Sequence, residues 1–238
     1  MSTPAIKIRE SQPAVYVYEA PLRIWHWVNA LAIVVLCVTG YFIGSPLPTM
    51  PGEASDNFLM GYIRFAHFAA GYIFAIGFLF RIYWAFVGND HSRQIFLPPL
   101  TSRDWWGGVW HETKWYLFLT REPRKYVGHN PLATLVMHIV LLWGTIFMIV
   151  TGFALYGEGT QAGSWAHTMF TSWVIPLFGQ SQDVHTFHHL VMWALIIFAM
   201  IHIYVAIREE IMSRQSFIST MVSGWRMFKD DREVDDGR

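Results

Sequence analysis

Cysteine is nearly absent: Cys37 is the only one among 238 residues. A disulfide framework and a thiolate metal site are both excluded. Charge is sparse as well, 14% of the residues against 53% hydrophobic. Neither a Walker A run, nor a CxxC pair, nor a Gly-x-Ser-x-Gly elbow occurs, so the common soluble-enzyme motifs are missing. No basic stripe suits a nucleic acid. No cleaved signal peptide is expected, because the first apolar run starts late, is too long for such a segment and has no A-x-A site after it.

What is present is long apolar runs, which place the chain in the membrane class. Four spans are expected, at about 24–43, 62–87, 131–155 and 186–207, each long enough to cross a bilayer as a helix. They predict an all-α membrane protein, a four-transmembrane-helix bundle forming one domain over 1–238. None of the four contains Asp or Glu. That argues against a histidine-lined proton or metal transporter, which needs acids along a hydrated path.

An even number of spans puts both termini on one side. Positive charge accumulates in cytoplasmic segments. Lys7, Arg9 and Arg23 precede span one. Arg93, Arg103, Lys114, Arg121, Arg124 and Lys125 lie between spans two and three, and the tail adds Arg208, Arg214, Arg226, Lys229, Arg232 and Arg238. The other two loops, 44–61 and 157–185, contain no Lys or Arg. Both termini are therefore expected in the cytoplasm, with the opposite face periplasmic in a bacterium. The cytoplasmic loop carries RDWWGGVWHETKWYLFL, in which Trp105, Trp106, Trp110 and Trp115 suit a headgroup layer. An interfacial amphipathic helix over about 103–120 is expected. The alternative is a cytoplasmic helix packed on a partner.

Histidine in a membrane span is costly and needs a partner. His188 and His202 share the apolar stretch TFHHLVMWALIIFAMIHIYVAI. Fourteen steps of 100° bring them within about 40° of one helix face, ~21 Å apart along the axis. His26 starts span one, at nearly the depth of His202. His67 starts span two, which runs the other way, level with His188. Two level pairs result: His26 with His202 on the cytoplasmic side, and His67 with His188 on the periplasmic side. Each pair suits one haem iron, which accepts axial imidazole. A lone His hydrogen-bonded to a carbonyl is the plain alternative, and the matched depths of four weigh against it. His185 and His189 lie about 100° and 140° from His202 around the helix. The first is expected at the helix start and the second to point away. His138, in span three, is expected to be a packed, hydrogen-bonded residue or a pocket wall, with ligation as a rival reading. His91, His111 and His167 are placed in loops.

Arg23 and Arg64 stand three residues before His26 and His67. Contact with haem propionates and snorkelling at a helix end are equally good readings. Gly40, Gly71, Gly77 and Gly152 could admit a flat macrocycle, though small residues at plain helix contacts are commoner. Spans one and three share an echo, VTGYFIG against VTGFALYG: an old duplication, or helix ends using the same glycine chemistry.

The segments EAPLRIWHW, GYFIGSPLP, GYIRFAHFAAGY, RIYWAFVGN, GHNPLA, VTGFALY, QDVHTFHHLVMW and REEIMS, in this order over about 16–228, resemble the b-type cytochrome subunit of membrane-bound uptake nickel–iron hydrogenases. These in turn are similar to the cytochrome b subunit of respiratory formate dehydrogenase. The resemblance implies four core helices and two b-type haems, held by His26, His67, His188 and His202. It implies as partners an iron–sulfur small subunit and, through it, the large nickel–iron subunit, facing the periplasm. Electrons from hydrogen would cross two haems to a quinone from an inner-membrane, respiratory subunit with no hydrogen chemistry of its own. His129 and Asn130, in GHNP before span three, are candidates for the quinone site; a helix-start turn is the other reading. The rival functions are a stand-alone cytochrome b561-like quinone oxidoreductase, the anchor of another periplasmic dehydrogenase, and a bare structural anchor.

Overall fold

The computed structural model describes residues 13–48, 51–53, 56–229 and 234–235. Lys7, Arg9, Arg232 and Arg238, part of the charge asymmetry, lie outside the described residues. Four helical stretches are long and apolar enough to cross a membrane: Ala20–Gly44, Leu59–Val87, Pro131–Glu158 and Ser181–Met212. All four expected spans are present, with ends extended by a few residues. Their outward faces carry unpartnered apolar side chains such as Leu31, Phe65, Phe86 and Ile201. Only 11% of the apolar window of the last helix is buried inside the protein, which suits a span whose other faces meet lipid.

Local chemistry sets the helix ends. Helix α1 (Ala20–Gly44) begins with Pro21 in its first turn, where a missing N–H costs nothing. Glu19 does not cap it; its Oε2 accepts from Trp84 Nε1 at 3.1 Å and Asn89 N at 2.9 Å. That carboxylate ties the start of α1 to the end of α2 (Leu59–Val87). The short α3 (Asp90–Arg93) is capped by Asn89. Ser102 caps α4 (Arg103–Tyr116), with Asp104 in its first turn and Lys114 in its last, both favourable to the helix dipole.

Span three is three pieces in one: α5 (Pro131–Val136), a π-helical turn over Met137–Leu142, and α6 (Trp143–Glu158). The wide turn carries His138, whose Nδ1 lies 2.8 Å from the carbonyl of Ile95. A packed, hydrogen-bonded role for His138 is what this contact gives. Beyond span three, a second π-turn at His167–Thr171 leads into α7 (Ser172–Phe178), then α8 (Ser181–Met212) and α9 (Thr220–Ser223). His91, His111 and His167 lie between the spans, as expected, each within a helical segment of its loop.

Small ribbons are added to the helical fold. β1 (Ala14–Tyr16) and β3 (Trp225–Met227) pair antiparallel, with Val15 opposite Arg226. β2 (Lys125–Tyr126) and β4 (Val234–Asp235) pair parallel. The first ribbon joins the two terminal segments, which an even number of spans leaves at the same end of the bundle. Buried apolar clusters form at both ends of the bundle: Val17, Tyr18 and Leu22 where the termini meet, and Ala154, Val174 and Val184 at the far end.

Helix α4 departs from the expected interfacial pattern. Trp106 and Trp110 are exposed, but Trp105 and Trp115 are buried within the protein. Trp115 Nε1 donates to Glu209 Oε1 at 2.7 Å, and the guanidinium of Arg208 lies 4.4 Å from a Trp115 ring centroid. The C-terminal end of α4 is held to the end of α8 through Trp115, the helix packs on α5, and only its exposed face can meet a headgroup layer. Sequence spacing alone gave all four rings one environment.

Candidate functional site

The four spans bring the histidines together at two levels. At the end bearing the termini, the rings of His26 and His202 have centroids 6.4 Å apart and planes inclined at 52°. Two imidazoles bonded to one metal ion at about 2 Å each have centroids roughly 6 Å apart. The separation fits one ion between them. His26 lies in the second turn of α1, and His202 ten residues from the end of α8. His202 also stacks on Phe198, 5.8 Å between centroids.

At the far end, His67 from α2 and His188 from α8 line one cavity of about 1030 Å³, large for a ligand pocket. Gly40, Gly71 and Gly152 line it too, and Arg64 stands at its wall. Gly77 does not: it packs against Trp25, 3.6 Å from where a Cβ would lie. Of the four glycines singled out, three thus face the cavity and one serves helix packing. His185 and His189 also line the cavity. For His189 this corrects the outward direction expected from its angle. Its ring edge reaches α1, 3.0 Å from where a Cβ on Gly44 would lie. Helix α8 is contacted by both α1 and α6, so more than one of its faces is inward.

The His67 and His188 rings are held on their inner side. His67 Nδ1 is 2.9 Å from Thr39 Oγ1, and His188 Nδ1 is 2.7 Å from Thr151 Oγ1. These threonines went unnoticed in the sequence, although both belong to the VTG echo.

The donor set points to a particular kind of metal group. Among the described residues no group of three or more His, Cys, Asp and Glu side chains could hold a bare ion. Paired imidazoles suit a metal that brings its own in-plane ligands, as haem iron does. Among the described residues of α1 and α2, Arg23 Nε, Trp25 Nε1, His26 Nδ1 and Arg81 Nη1 are buried without a hydrogen-bond partner. Buried donors are normally paired, and an acid-bearing cofactor supplies acceptors. The residues present fit a haem at both levels.

Arg81 was missed by the sequence reading. It is 2% exposed, donates to the Ser92 carbonyl at 2.6 Å, and lies over Trp25 and Phe96. A cation inside an apolar run was the signal that marked it. Arg23 is turned toward the tail, donating from Nη1 to the carbonyl of Val222.

Asn130 and His129 occupy the start of span three. Asn130 Oδ1 accepts from Ala133 N at 2.7 Å, a helix cap, and Nδ2 donates to Tyr116 Oη at 3.2 Å. Its carboxamide is engaged at both ends. The His129 ring nitrogens each lie 3.2 Å from Tyr18 Oη. Burial, with the charges of Arg226, His202, Arg81 and His91 adding to it, pulls His129 down to about 3. Burial pushes the Tyr18 phenol up to about 12 against the pull of Arg226 and Arg81. Both groups are neutral at pH 7.

A four-helix membrane bundle with imidazoles paired between its helices defines a class, the membrane cytochromes b. The chain belongs to the prokaryotic cytochrome b561 family, which matches residues 17–224. A protein of Azotobacter chroococcum mcd 1, named "Probable Ni/Fe-hydrogenase B-type cytochrome subunit", is 70% identical over 226 residues, 95% of this chain and 93% of the relative. A protein of the same name from Cupriavidus necator is 63% identical over 226 residues, 95% and 92% of the two chains. "Probable Ni/Fe-hydrogenase 1 B-type cytochrome subunit" of Escherichia coli K12 is 50% identical over 218 residues, 90% and 91%. The family makes this chain a b-type cytochrome, a haem protein of membrane electron transfer.

Proposed function

We propose that this chain is the di-haem electron-transfer and anchor subunit of a respiratory nickel–iron hydrogenase in a bacterial inner membrane. The observation that carries the reading is the pairing of four histidines at two levels, His26 with His202 and His67 with His188. The names of the relatives supply the hydrogenase. The partners follow: an iron–sulfur small subunit on the His67 and His188 side, and the large nickel–iron subunit beyond it. A haem at each level supplies a one-electron iron couple, and a quinone accepts on the other side.

The chain's own residues hold, orient and insulate. The four imidazoles clamp between helices, Arg64 at the cavity wall is placed for a propionate, and the apolar outer faces keep water out. The charge asymmetry supports termini in the cytoplasm, which puts the His26 and His202 level on that side. Quinone reduction belongs near this level, where protons come from the cytoplasm. The neutral Tyr18–His129 pair, with an O–H and a ring nitrogen in contact, offers hydrogen bonding to a quinone carbonyl there. Asn130 contributes to that site by capping the helix that follows His129.

The test is a reduced-minus-oxidised absorption spectrum with a pyridine-haemochrome count on the protein purified from native membranes. Two b-type haems per chain, co-purifying with an iron–sulfur and a nickel–iron subunit, support the reading. One haem sinks the two-level arrangement. Two haems without hydrogenase subunits favour a stand-alone quinone oxidoreductase.

A further inference from the structure

Each hydroxyl of the repeated Thr-Gly pair has one hydrogen to give. Thr39 Oγ1 gives it backward, 2.6 Å from the carbonyl of Val35, with Leu36 O at 3.3 Å sharing it. Thr151 Oγ1 does the same toward Phe147 O at 2.7 Å. What remains on each oxygen is acceptor capacity. The imidazole Nδ1 atoms at 2.9 and 2.7 Å must therefore be the donors. A neutral imidazole carries one N–H. With that proton on Nδ1, the lone pair sits on Nε2.

We infer that Thr39 and Thr151 are positioning residues that fix the tautomer and tilt of His67 and His188, so that each ring presents Nε2 to the cavity between them; this rests on the reading of both histidines as haem ligands. The glycine after each threonine completes the seat. A Cβ on Gly40 would lie 3.2 Å from His67 Cε1, and one on Gly152 3.4 Å from His188 Cε1. The first is too close for an unshifted ring and the second is bare contact, so both rings lie against open helix backbone.

The arrangement occurs twice with the same polarity. Val38-Thr39-Gly40 in α1 seats a histidine of α2, the next helix. Val150-Thr151-Gly152 in α6 seats a histidine of α8, the next span. Both serve the same cavity. The echo between spans one and three is thus one hydrogen-bonding device used by both helical hairpins. The other level lacks it, since His26 Nδ1 is buried without a partner among the described residues.

Threonine bonded to a carbonyl four residues back is ordinary in membrane helices, and an inert packing role would move no property of a bound metal. A positioning role would. An acceptor on the far nitrogen makes a ligating imidazole a stronger electron donor and favours oxidised iron. Removing it raises the midpoint of that haem alone.

The experiment uses the intact complex in native membranes. Redox titrations followed optically, with low-temperature electron paramagnetic resonance, compare wild type with Thr39→Val, Thr151→Val and the two serine variants. His188→Ala serves as the control for ligation. Each valine variant is expected to change the oxidised-to-reduced ratio of one and the same haem about tenfold, about 59 mV upward for a one-electron couple. The g-values of that haem shift, the second haem stays put, and serine restores both. Unchanged midpoints and g-values in both valine variants, or serine shifting as far as valine, overturn the inference. If His188→Ala also loses one haem in that case, the ligand reading survives alone. If His188→Ala keeps both haems, the ligand reading itself falls.

Discussion

His26 and His202 face one another across 6.4 Å between ring centroids, on helices whose ring-bearing residues are separated by most of the chain. The long separation matters, because neither ring is placed by local sequence. Antiparallel spans bring the first turns of α1 level with the last turns of α8. His202→Ala is expected to remove one haem and leave the other, giving one per chain by pyridine haemochrome. His188→Ala should remove the complementary one, distinguishable by its midpoint potential. Two haems retained in either variant would mean that the pairs are wrongly drawn.

Much of this was legible in the sequence. Four spans follow from apolar length alone, and depth picks two level pairs out of the eleven histidines because a helix rises evenly. What was not legible depended on distant partners. Trp105 and Trp115 look identical to Trp106 and Trp110 until the fold buries one face of α4, with Arg208 and Glu209, about ninety residues on, holding Trp115. His189 looks outward until α1 is known to run past it. Asn130 before a proline reads both as a turn and as a ligand, and only its cap bond shows which group holds its carboxamide.

Asn130 therefore allows a second prediction. Its Oδ1 caps α5 at 2.7 Å from Ala133 N. Asn130→Ala should cost about 1 kcal/mol of stability, the usual value of a lost cap, while Asn130→Asp retains most of it. Thermal midpoints followed by circular dichroism in detergent measure this. A midpoint in Asn130→Ala equal to wild type would remove the cap from the account.

Gly157 is a packing point where a side chain has no room. A Cβ there would strike Thr171 Oγ1 and lie 2.8 Å from the backbone nitrogen of His167 and 2.9 Å from the Ala166 carbonyl carbon. Backbone cannot turn aside as a flexible side chain does. Gly157→Ala should destabilise by about 1–3 kcal/mol, as overpacking typically does, and loosen the segment leading to α7. Limited proteolysis between residues 159 and 180 should quicken. An unchanged cleavage rate would show that α6 and the second π-turn can separate freely.

Glu112 gives a pH dependence outside the spans. It is 1% exposed, and its carboxyl is pushed up to about 8, first by burial and then by the charge of Glu209, against contrary pulls from Tyr126, Arg124 and Arg208. In the unfolded chain the group titrates near its ordinary value of about 4.3. A folded state that holds its proton more tightly is favoured at low pH. Stability then falls as the pH rises from about 4.3 toward 8, and levels off above that. Glu112→Gln keeps a neutral group of the same shape, which has no proton to lose. The thermal midpoint of wild type should drop between pH 5 and pH 8 by more than that of Glu112→Gln. Parallel curves for the two proteins would mean that the Glu112 carboxyl ionises in place without cost, with Arg124 and Arg208 outweighing its burial. The contact between α4 and the end of α8 would then be an ion-paired joint and not a neutral one.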